Sequence, residues 1–200
     1  MLLHCSHNMD EQIILNATSG CHWHSIDQTF TTENCVEVDK LPNKIGRWKV
    51  GEWYYELNEK QNWMRWQHEG ERFKYTWSRR KNREHEFNES EKLIENEVHK
   101  FMKSINIHDW GWQFLKVMPD DKMIWHIDSP HHAPCSINIA LKDPSPIVFD
   151  DGEFSYKCAL IGVSDTWHTV KSGIEERLTF KIIPKAPFEE VKQKLKNYLL

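Results

Sequence analysis

The sequence predicts a mainly β protein with flanking helices, in which antiparallel strands form a sandwich or a barrel. Its second half carries many short β-like runs separated by turn sequences, with no helical pattern between them. Helical spacing occurs over residues 89–104 and again over residues 187–199. Strands that follow one another without intervening helices argue against a βαβ fold.

The composition limits the size and class of the protein. Two hundred residues with 39% hydrophobic content are enough for one core, and the 10 tryptophans exclude a disordered chain. The formal net charge is −4, and no apolar run reaches the roughly 18 to 20 residues that cross a bilayer. The 5 cysteines lack CxxC spacing, which is typical of reduced thiols. We therefore expect a single cytoplasmic domain without a membrane partner.

The first half of the chain predicts strands followed by one helix. Alternating residues over 47–77 predict strands, and residues 68–71 are interpreted as a hairpin loop between two of them. An apolar stripe over 89–104 predicts an amphipathic helix, for which Ser90 is available as the N-cap. The first 45 residues show no sustained period and are left unassigned.

The second half predicts a run of strands and a final helix. The predicted strands are residues 111–118, 122–127, 135–141, 147–149, 154–163, 167–171 and 174–183. The helix over 187–199 has an apolar face that is expected to pack across the outside of a sheet. The predicted organisation of the single domain (1–200) is N-terminal strands and a helix in 1–110, a core in 111–184 and a C-terminal helix in 185–200.

Polar and apolar residues alternate within the predicted strand 135–141. Ser136, Asn138 and Ala140 form the more polar row. If the apolar row faces the core, this polar row faces solvent; if the cavity of a sandwich lies on the polar side, Asn138 lines the functional site. We favour the second interpretation.

The sharpest feature is a pair of ligand-type residues followed by a distant histidine. His126 and Asp128 lie at the end of a predicted strand, and His168 follows 40 residues after Asp128. Because residues i and i+2 of a strand project to the same side, His126 and Asp128 can reach one ion while Trp125 and Ile127 point the other way. Two imidazoles and one carboxylate are the ligands of a non-haem ferrous site with open positions. Zinc accepts the same ligands, so a structural zinc site is the alternative.

A basic residue follows the second histidine. If Ser172 and Gly173 form a two-residue hairpin loop, His168 stands opposite Arg177, and Thr179 shares that face. A guanidinium can hold a carboxylate by two parallel hydrogen bonds, and a hydroxyl can add a third. This arrangement suits a dicarboxylate that chelates the metal with its other end.

The spacing of His126-x-Asp128, His168 and Arg177 resembles the HxD…H…R pattern of the Fe(II)/2-oxoglutarate-dependent dioxygenases. Most similar are the aspartyl/asparaginyl β-hydroxylase-like and prolyl-hydroxylase-like branches; the likeness runs over residues 125–182 and includes the segments CSINIAL and YKCALI. The resemblance implies a double-stranded β-helix (jelly-roll, cupin-like) core. It also implies that the N-terminal part of the chain contributes substrate specificity.

The resemblance further implies an iron-dependent oxidoreductase with a defined set of cofactors. Such a hydroxylase uses Fe(II), 2-oxoglutarate and O2, and converts 2-oxoglutarate to succinate while it hydroxylates a small-molecule or peptidyl substrate. The implied metal ligands and catalytic residues are His126, Asp128 and His168. The cofactor-binding residues are Arg177 and Thr179 by the resemblance and Asn138 by its place in the polar row.

Several of these residues have simpler interpretations. Arg177 could form a surface salt bridge with Glu175 or Glu176 instead of a carboxylate clamp. His131 and His132 lie in a loop bounded by prolines, where we assign them a lid or substrate contact. Six N-terminal residues of metal-binding type fit no zinc-binding spacing and are interpreted as packing and surface residues. These six are Cys5, His7, Cys21, His22, His24 and Cys35.

A basic, tryptophan-rich window over residues 44–83 suggests a different function. It holds 11 Lys or Arg against 5 Glu, together with five tryptophans, a mixture that can bind nucleic acid by stacking and phosphate contacts. We favour a twisted sheet with buried tryptophans and solvated cations, and interpret residues 78–83 as a solvated turn.

Two alternative functions therefore stand beside the dioxygenase. One is a non-catalytic β-barrel binding module for nucleic acid or protein, with a vestigial or zinc-filled metal site. The other is a cupin-like metal enzyme that does not use 2-oxoglutarate. Retention on nucleic acid that weakens with salt, without turnover of 2-oxoglutarate, favours the binding module. Turnover without the oxo acid favours the cupin-like enzyme.

Overall fold

A computed structural model describes residues 1–80, 86–143, 146–171 and 173–200, and its strands form two sheets. The strands are β1 (Leu2–His4), β2 (His24–Phe30), β3 (Val36–Glu37), β4 (Gly46–Val50), β5 (Trp53–Leu57), β6 (Trp63–Trp66), β7 (Glu71–Arg79), β8 (Trp110–Val117), β9 (Trp125–Ile127), β10 (Ser136–Lys142), β11 (Ile147–Phe149), β12 (Gly152–Phe154), β13 (Cys158–Ile161), β14 (His168–Val170) and β15 (Arg177–Pro184). The helices are α1 (Glu11–Ala17), α2 (Glu89–Ser104) and α3 (Phe188–Lys194), and a 3₁₀ turn follows α1 at Thr18–Gly20.

The strands are arranged as a seven-stranded and an eight-stranded sheet. The seven-stranded sheet has the order β1-β13-β10-β15-β8-β7-β2, and the eight-stranded sheet the order β12-β11-β14-β9-β6-β5-β4-β3. Neighbouring strands are antiparallel except β3 and β4. The predicted fold class is confirmed: the protein is mainly β, with a jelly-roll sandwich and flanking helices. Strands from both halves of the chain take part in each sheet.

Alternation along β15 divides the seven-stranded sheet into two faces. Leu178, Phe180 and Ile182 are buried in one cluster with residues of all three helices. Arg177 and Thr179 are also buried, but the period of two in a strand directs them to the opposite side, toward the second sheet. The helices therefore cover one face of this sheet and leave the other for the interior of the sandwich.

The sandwich interior also receives the polar row of β10. Ile137 and Ile139 belong to the helix-covered cluster, whereas Asn138 is 5% exposed and donates from Nδ2 to the Tyr156 hydroxyl at 3.3 Å. The polar side of this row therefore faces the interior of the sandwich and not solvent, and the place of Asn138 in the functional site stays a prediction.

Helix α2 has the predicted range but a different N-cap. Asn88 accepts a hydrogen bond from the backbone of Glu91, and the Glu91 carboxylate accepts one from the backbone of Asn88. Asn88 also donates to the carbonyl of Gly20. The prediction of Ser90 as the cap is therefore wrong, because the helix begins two residues earlier than a cap at Ser90 allows and Asn88 supplies the reciprocal pair.

We expect Asn88→Ala to lower the free energy of unfolding by about 1 to 2 kcal/mol, since it removes the cap of the longest helix and the bond to Gly20. Ser90→Ala is the matched control and should change it by less than about 0.5 kcal/mol. Urea unfolding followed by circular dichroism measures both. Equal destabilisation by the two substitutions would contradict the capping assignment.

Two connections that the sequence predicts as hairpins run between the sheets. β6 pairs with β5 and β9, whereas β7 pairs with β2 and β8, so the loop over 68–71 is not a hairpin loop. β14 lies in the eight-stranded sheet and β15 in the seven-stranded sheet, so His168 does not stand opposite Arg177. Both hairpin predictions are wrong, because in each case the chain crosses from one sheet of the sandwich to the other and the two strands do not pair. Ser172 of the second predicted loop lies outside the described residues.

The last helix packs as predicted but is shorter. Val191 and Leu195 are fully buried in the cluster that includes the outer face of the seven-stranded sheet. The helix ends at Lys194, and Leu199 instead pairs with Cys5 in an isolated bridge. None of the helices in the described ranges is both long enough and apolar enough to cross a membrane.

The tryptophans of the basic window lie in the strands β4 to β7. Trp48 and Trp66 are buried, and Trp53, Trp63 and Trp77 are half-buried. The strands predicted for this window are thus present. The predicted turn over 78–83 falls partly outside the described residues.

Candidate metal centre

The three predicted metal ligands meet on neighbouring strands of the eight-stranded sheet. His126 in β9 and His168 in β14 are register partners, with ring centroids 4.2 Å apart. Asp128 follows β9, and its Oδ1 lies 3.6 Å from His126 Nε2. One ligand atom from each of the three lies within 4.8 Å of the others. The sandwich therefore brings together residues that are far apart in sequence.

Backbone carbonyls fix the orientation of both imidazoles. His126 Nδ1 lies 2.9 Å from the carbonyl oxygen of Ile124, and His168 Nδ1 lies 3.0 Å from that of Thr166. A carbonyl can only accept, so each Nδ1 carries a proton, and Nε2 is the nitrogen through which each ring in its neutral form would bind a metal. This second hydrogen bond is the usual partner of a metal-binding histidine.

The opposite face of the same strands is held by an arginine among tryptophans. Trp125 and Trp167 each precede a predicted ligand histidine, and the Arg65 guanidinium lies 4.5 and 4.7 Å from their ring centroids. Arg65 is 8% exposed and forms an ion pair with Asp150. Cation–π contacts of a desolvated guanidinium are among the stronger ones. They anchor β9 and β14 to β6 directly behind the two histidines.

A lysine that the sequence analysis did not identify faces the carboxylate. Lys181 Nζ lies 3.6 Å from Asp128 Oδ2, while Oδ1 faces His126. Burial raises the pKa of Asp128, but the positive charge of Lys181, with smaller contributions from the two histidines, outweighs it and lowers the pKa below its usual value. Asp128 is therefore ionised, as a metal ligand must be.

The second histidine is held in its neutral form. Burial, assisted by the neighbouring His126, lowers the pKa of His168 to about 3. Since an unfolded histidine has a pKa near 6.5, the unfolded chain binds a proton that the folded metal-free protein does not between about pH 6.5 and 3. Folding stability therefore falls as the pH drops through this window.

We expect the metal-free protein to lose at most about 1.4 kcal/mol of unfolding free energy per pH unit through His168 below pH 6.5. Urea unfolding at pH 7 and pH 5 should show this loss, and His168→Asn should reduce it. His131→Asn, at an exposed position in the 130–134 loop, is the matched control. A pH dependence that His168→Asn leaves unchanged would contradict the assignment.

The predicted cofactor-binding arginine is buried in a polar network. Arg177 is 2% exposed; its Nε donates to Thr179 Oγ1 at 3.2 Å and one terminal nitrogen donates to the Tyr156 hydroxyl at 3.1 Å. Burial lowers the pKa of Arg177, and Tyr156 and the negative charge of Asp143 oppose this shift. The surface salt bridge proposed as an alternative is wrong for Glu176, which pairs with lysines at 116 and 142.

An aromatic residue connects this network with the triad. Phe149 is the register partner of His168 in β11, with ring centroids 6.2 Å apart. Phe149 and Tyr156 belong to one buried cluster between the sheets. Tyr156 in turn contacts Arg177 and Asn138 through its hydroxyl. Arg177 lies on the other sheet, and the buried cluster that holds Phe149 and Tyr156 touches both His168 and Arg177.

The donor set fits a divalent transition metal. Two imidazole nitrogens with free lone pairs and one ionised carboxylate are ligands that both Fe(II) and Zn(II) accept. Within the described ranges, His126, Asp128 and His168 form the one group of three or more His, Cys, Asp or Glu suited to an ion. The cysteines and histidines near the N-terminus form no such group there.

A cavity of about 750 Å³ opens onto two of the three predicted ligands. His126, Asp128 and Lys181 lie in its wall, and Ser129 and His132 also contribute. His132 and the neighbouring His131 are both exposed. Of this pair, His132 lines the cavity. The volume is that of a pocket for a small molecule.

No protein-family model matches the sequence, and no curated protein matches it. Among solved structures, the chain is similar to a cupin 2 conserved barrel domain protein from Rhodopseudomonas palustris, at 8% identity and a TM-score of 0.36. That likeness covers 57% of this chain and 63% of the other, less than two thirds of its length. The chain is also similar to a Pseudomonas putida prolyl-4-hydroxylase, at 14% identity and a TM-score of 0.37, over 56% of this chain and 69% of that one.

Proposed function

We propose that the protein is an Fe(II)- and 2-oxoglutarate-dependent oxygenase that hydroxylates a substrate bound in the cavity. The observation that carries the proposal is the convergence of His126, Asp128 and His168, with ligand atoms within 4.8 Å of one another, next to a cavity whose wall includes His126 and Asp128. Three protein ligands leave positions on an ion for a chelating co-substrate and O2. A ferrous ion at this site would supply the oxidation chemistry, in which 2-oxoglutarate is decarboxylated to succinate.

The buried guanidinium supports a dicarboxylate co-substrate. Arg177 is the group that can bind the far carboxylate of 2-oxoglutarate, and Thr179 and Tyr156 hold it by hydrogen bonds at 3.2 and 3.1 Å. Asn138 donates to the same Tyr156 hydroxyl and so restrains the phenol. Burial of this cation costs desolvation energy; the negative charge of Asp143 offsets part of that cost, and the far carboxylate of 2-oxoglutarate would add a second negative charge.

Lys181 and the two backbone carbonyls position the ligands. The Lys181 ammonium draws one oxygen of Asp128 toward itself and leaves the other facing His126. The carbonyls of Ile124 and Thr166 accept from Nδ1 of the two rings, which orients both imidazoles and leaves Nε2 of each as the atom for a metal. These contacts preorganise the three donors in the metal-free protein.

The test is anaerobic addition of Fe(II) and 2-oxoglutarate to the purified protein, followed by O2. We expect a visible charge-transfer band only when metal and oxo acid are both present, and succinate after exposure to O2. A protein that binds metal but gives neither band nor succinate would contradict the proposal and favour a zinc-filled binding module. O2 consumption without the oxo acid would instead indicate a cupin-like enzyme.

A further inference from the structure

The cavity beside the triad carries an excess of positive charge. Its wall contains five basic side chains against two carboxylates. The basic residues are Lys60, Arg79, Arg80, Lys181 and Lys185, and the acidic residues are Asp109 and Asp128. A cleft lined by one sign of charge attracts ligands of the opposite sign.

Three of these cations are not neutralised by an acidic partner in the described part of the chain. Arg80 pairs with Glu95, and Lys181 with Asp128. The remaining three are exposed and take part in no salt bridge there: Lys60, Arg79 and Lys185. Arg79 lies over the ring of Trp77, 5.0 Å from its centroid, and Lys185 donates to the carbonyl of His132. Their charge therefore remains available to a ligand at the mouth of the cavity.

A buried hydroxyl in the same wall also lacks a partner. Ser129 is 1% exposed, and its backbone amide donates to the side chain of Asn62, which lines the cavity as well. Its Oγ makes no hydrogen bond within the described residues. A buried hydroxyl without a partner is costly, and a ligand oxygen would satisfy it. Tyr75 and Trp110 add an aromatic wall for the uncharged part of a ligand.

We infer that the substrate is a small molecule that carries a carboxylate or a phosphate group. Lys60, Arg79 and Lys185 bind this anionic group at the cavity mouth, and Ser129 contacts a polar atom farther in. The rest of the molecule then extends toward His126 and Asp128. This inference rests on the proposed function for the reaction, but the binding of the anion does not depend on it.

The test compares benzoate, its neutral isostere benzamide, and phenyl phosphate as probes of the purified protein without added metal or oxo acid. Calorimetry at low ionic strength should show benzoate and phenyl phosphate binding about tenfold more tightly than benzamide, and weaker binding with added salt. The double substitution Arg79→Gln with Lys185→Gln should lower the affinity for both anions about tenfold. Arg72→Gln is the control: Arg72 is an exposed cation of the same strand β7 and pairs with Asp27, so its removal should leave the affinity for both anions unchanged.

Equal binding of benzoate and benzamide would overturn the inference. Unchanged benzoate affinity in the double variant would also overturn it, because the anion would then bind elsewhere, as at Arg177. Thermal unfolding checks that the double variant folds; both substituted residues are exposed. The tighter of the two anionic probes identifies the group that the substrate carries. Anion binding without succinate formation contradicts the proposed function alone, and succinate formation without selective anion binding contradicts this inference alone.

Discussion

The His168→Ala protein is expected to lose metal binding and succinate formation together. His168 is buried and neutral, and its Nε2 is the donor that the β14 strand contributes to the triad. Removing a residue that only orients a ligand typically costs about 10- to 100-fold in metal affinity. Loss of a ligand should cost more than about 100-fold, so the charge-transfer band and the succinate should both disappear.

The matched control for this substitution is His131→Ala, which removes an exposed histidine from the loop that follows Asp128. It should leave the metal content, the band and the rate of succinate formation unchanged. Metal content after dialysis, measured by mass spectrometry, separates a lost ligand from a lost catalytic step. A His168→Ala protein that retains iron and forms succinate would remove the triad from the proposed mechanism.

Strand alternation made the relation of His126 and Asp128 predictable. Residues two apart in a strand share a face, and both side chains lie on the same side of the eight-stranded sheet. Trp125 lies on the other side, against Arg65. This relation is local, so it needed no knowledge of which strands are neighbours.

The position of Arg177 could not be derived in the same way. The sequence analysis placed it opposite His168 across a hairpin, whereas its register partner is Val117 in the other sheet. Pairing between strands depends on the path of the chain, and a turn-like dipeptide does not reveal whether the chain returns to the same sheet or crosses to the other. The inward direction of the arginine follows from alternation within β15, whichever neighbour that strand has.

The sequence did not lead us to two residues near the site, Lys181 and Tyr156. One of them could have been predicted from strand alternation and the other could not. Lys181 could have been found, because it continues the row of Arg177 and Thr179 along one face of β15. Tyr156 could not, since it lies between β12 and β13, where no period constrains the direction of a side chain. Its hydroxyl reaches Arg177 and Asn138 only through the folded arrangement of both sheets.

The unassigned N-terminal segment shows a further limit. It contains β1, α1, β2 and β3, which are short or lie at or near a sheet edge. Most of β2 is exposed, so its residues lack the apolar alternation of a half-buried strand. Pairing with β13 specifies β1 and pairing with β7 specifies β2, and both partner strands lie far along the chain.

The second large effect is expected for Arg177→Met, which should weaken the binding of 2-oxoglutarate and leave metal binding intact. Hydrogen bonds to a charged group contribute about 1.5 to 3 kcal/mol each, so the loss of the guanidinium should raise the KM for 2-oxoglutarate about 10- to 100-fold. At saturating oxo acid the rate should recover most of its normal value, because the residues of the triad are unchanged. Methionine fills a similar volume without a charge, and thermal unfolding checks that the network tolerates it.

Three substitutions of graded severity test whether the guanidinium itself causes the rise in the KM for 2-oxoglutarate. Tyr156→Phe removes one hydroxyl that orients the guanidinium at 3.1 Å and should raise the same KM by about fivefold, since a single hydrogen bond contributes about 1 kcal/mol. Lys142→Met removes an exposed cation that pairs with Glu176 and should have no effect. An affinity that stays constant in Arg177→Met would show that the buried network serves only the packing of the sandwich. A carboxylate clamp requires that the KM stay unchanged in Lys142→Met, rise in Tyr156→Phe and rise further in Arg177→Met, because the first leaves the guanidinium intact, the second removes a group that orients it and the third removes its charge.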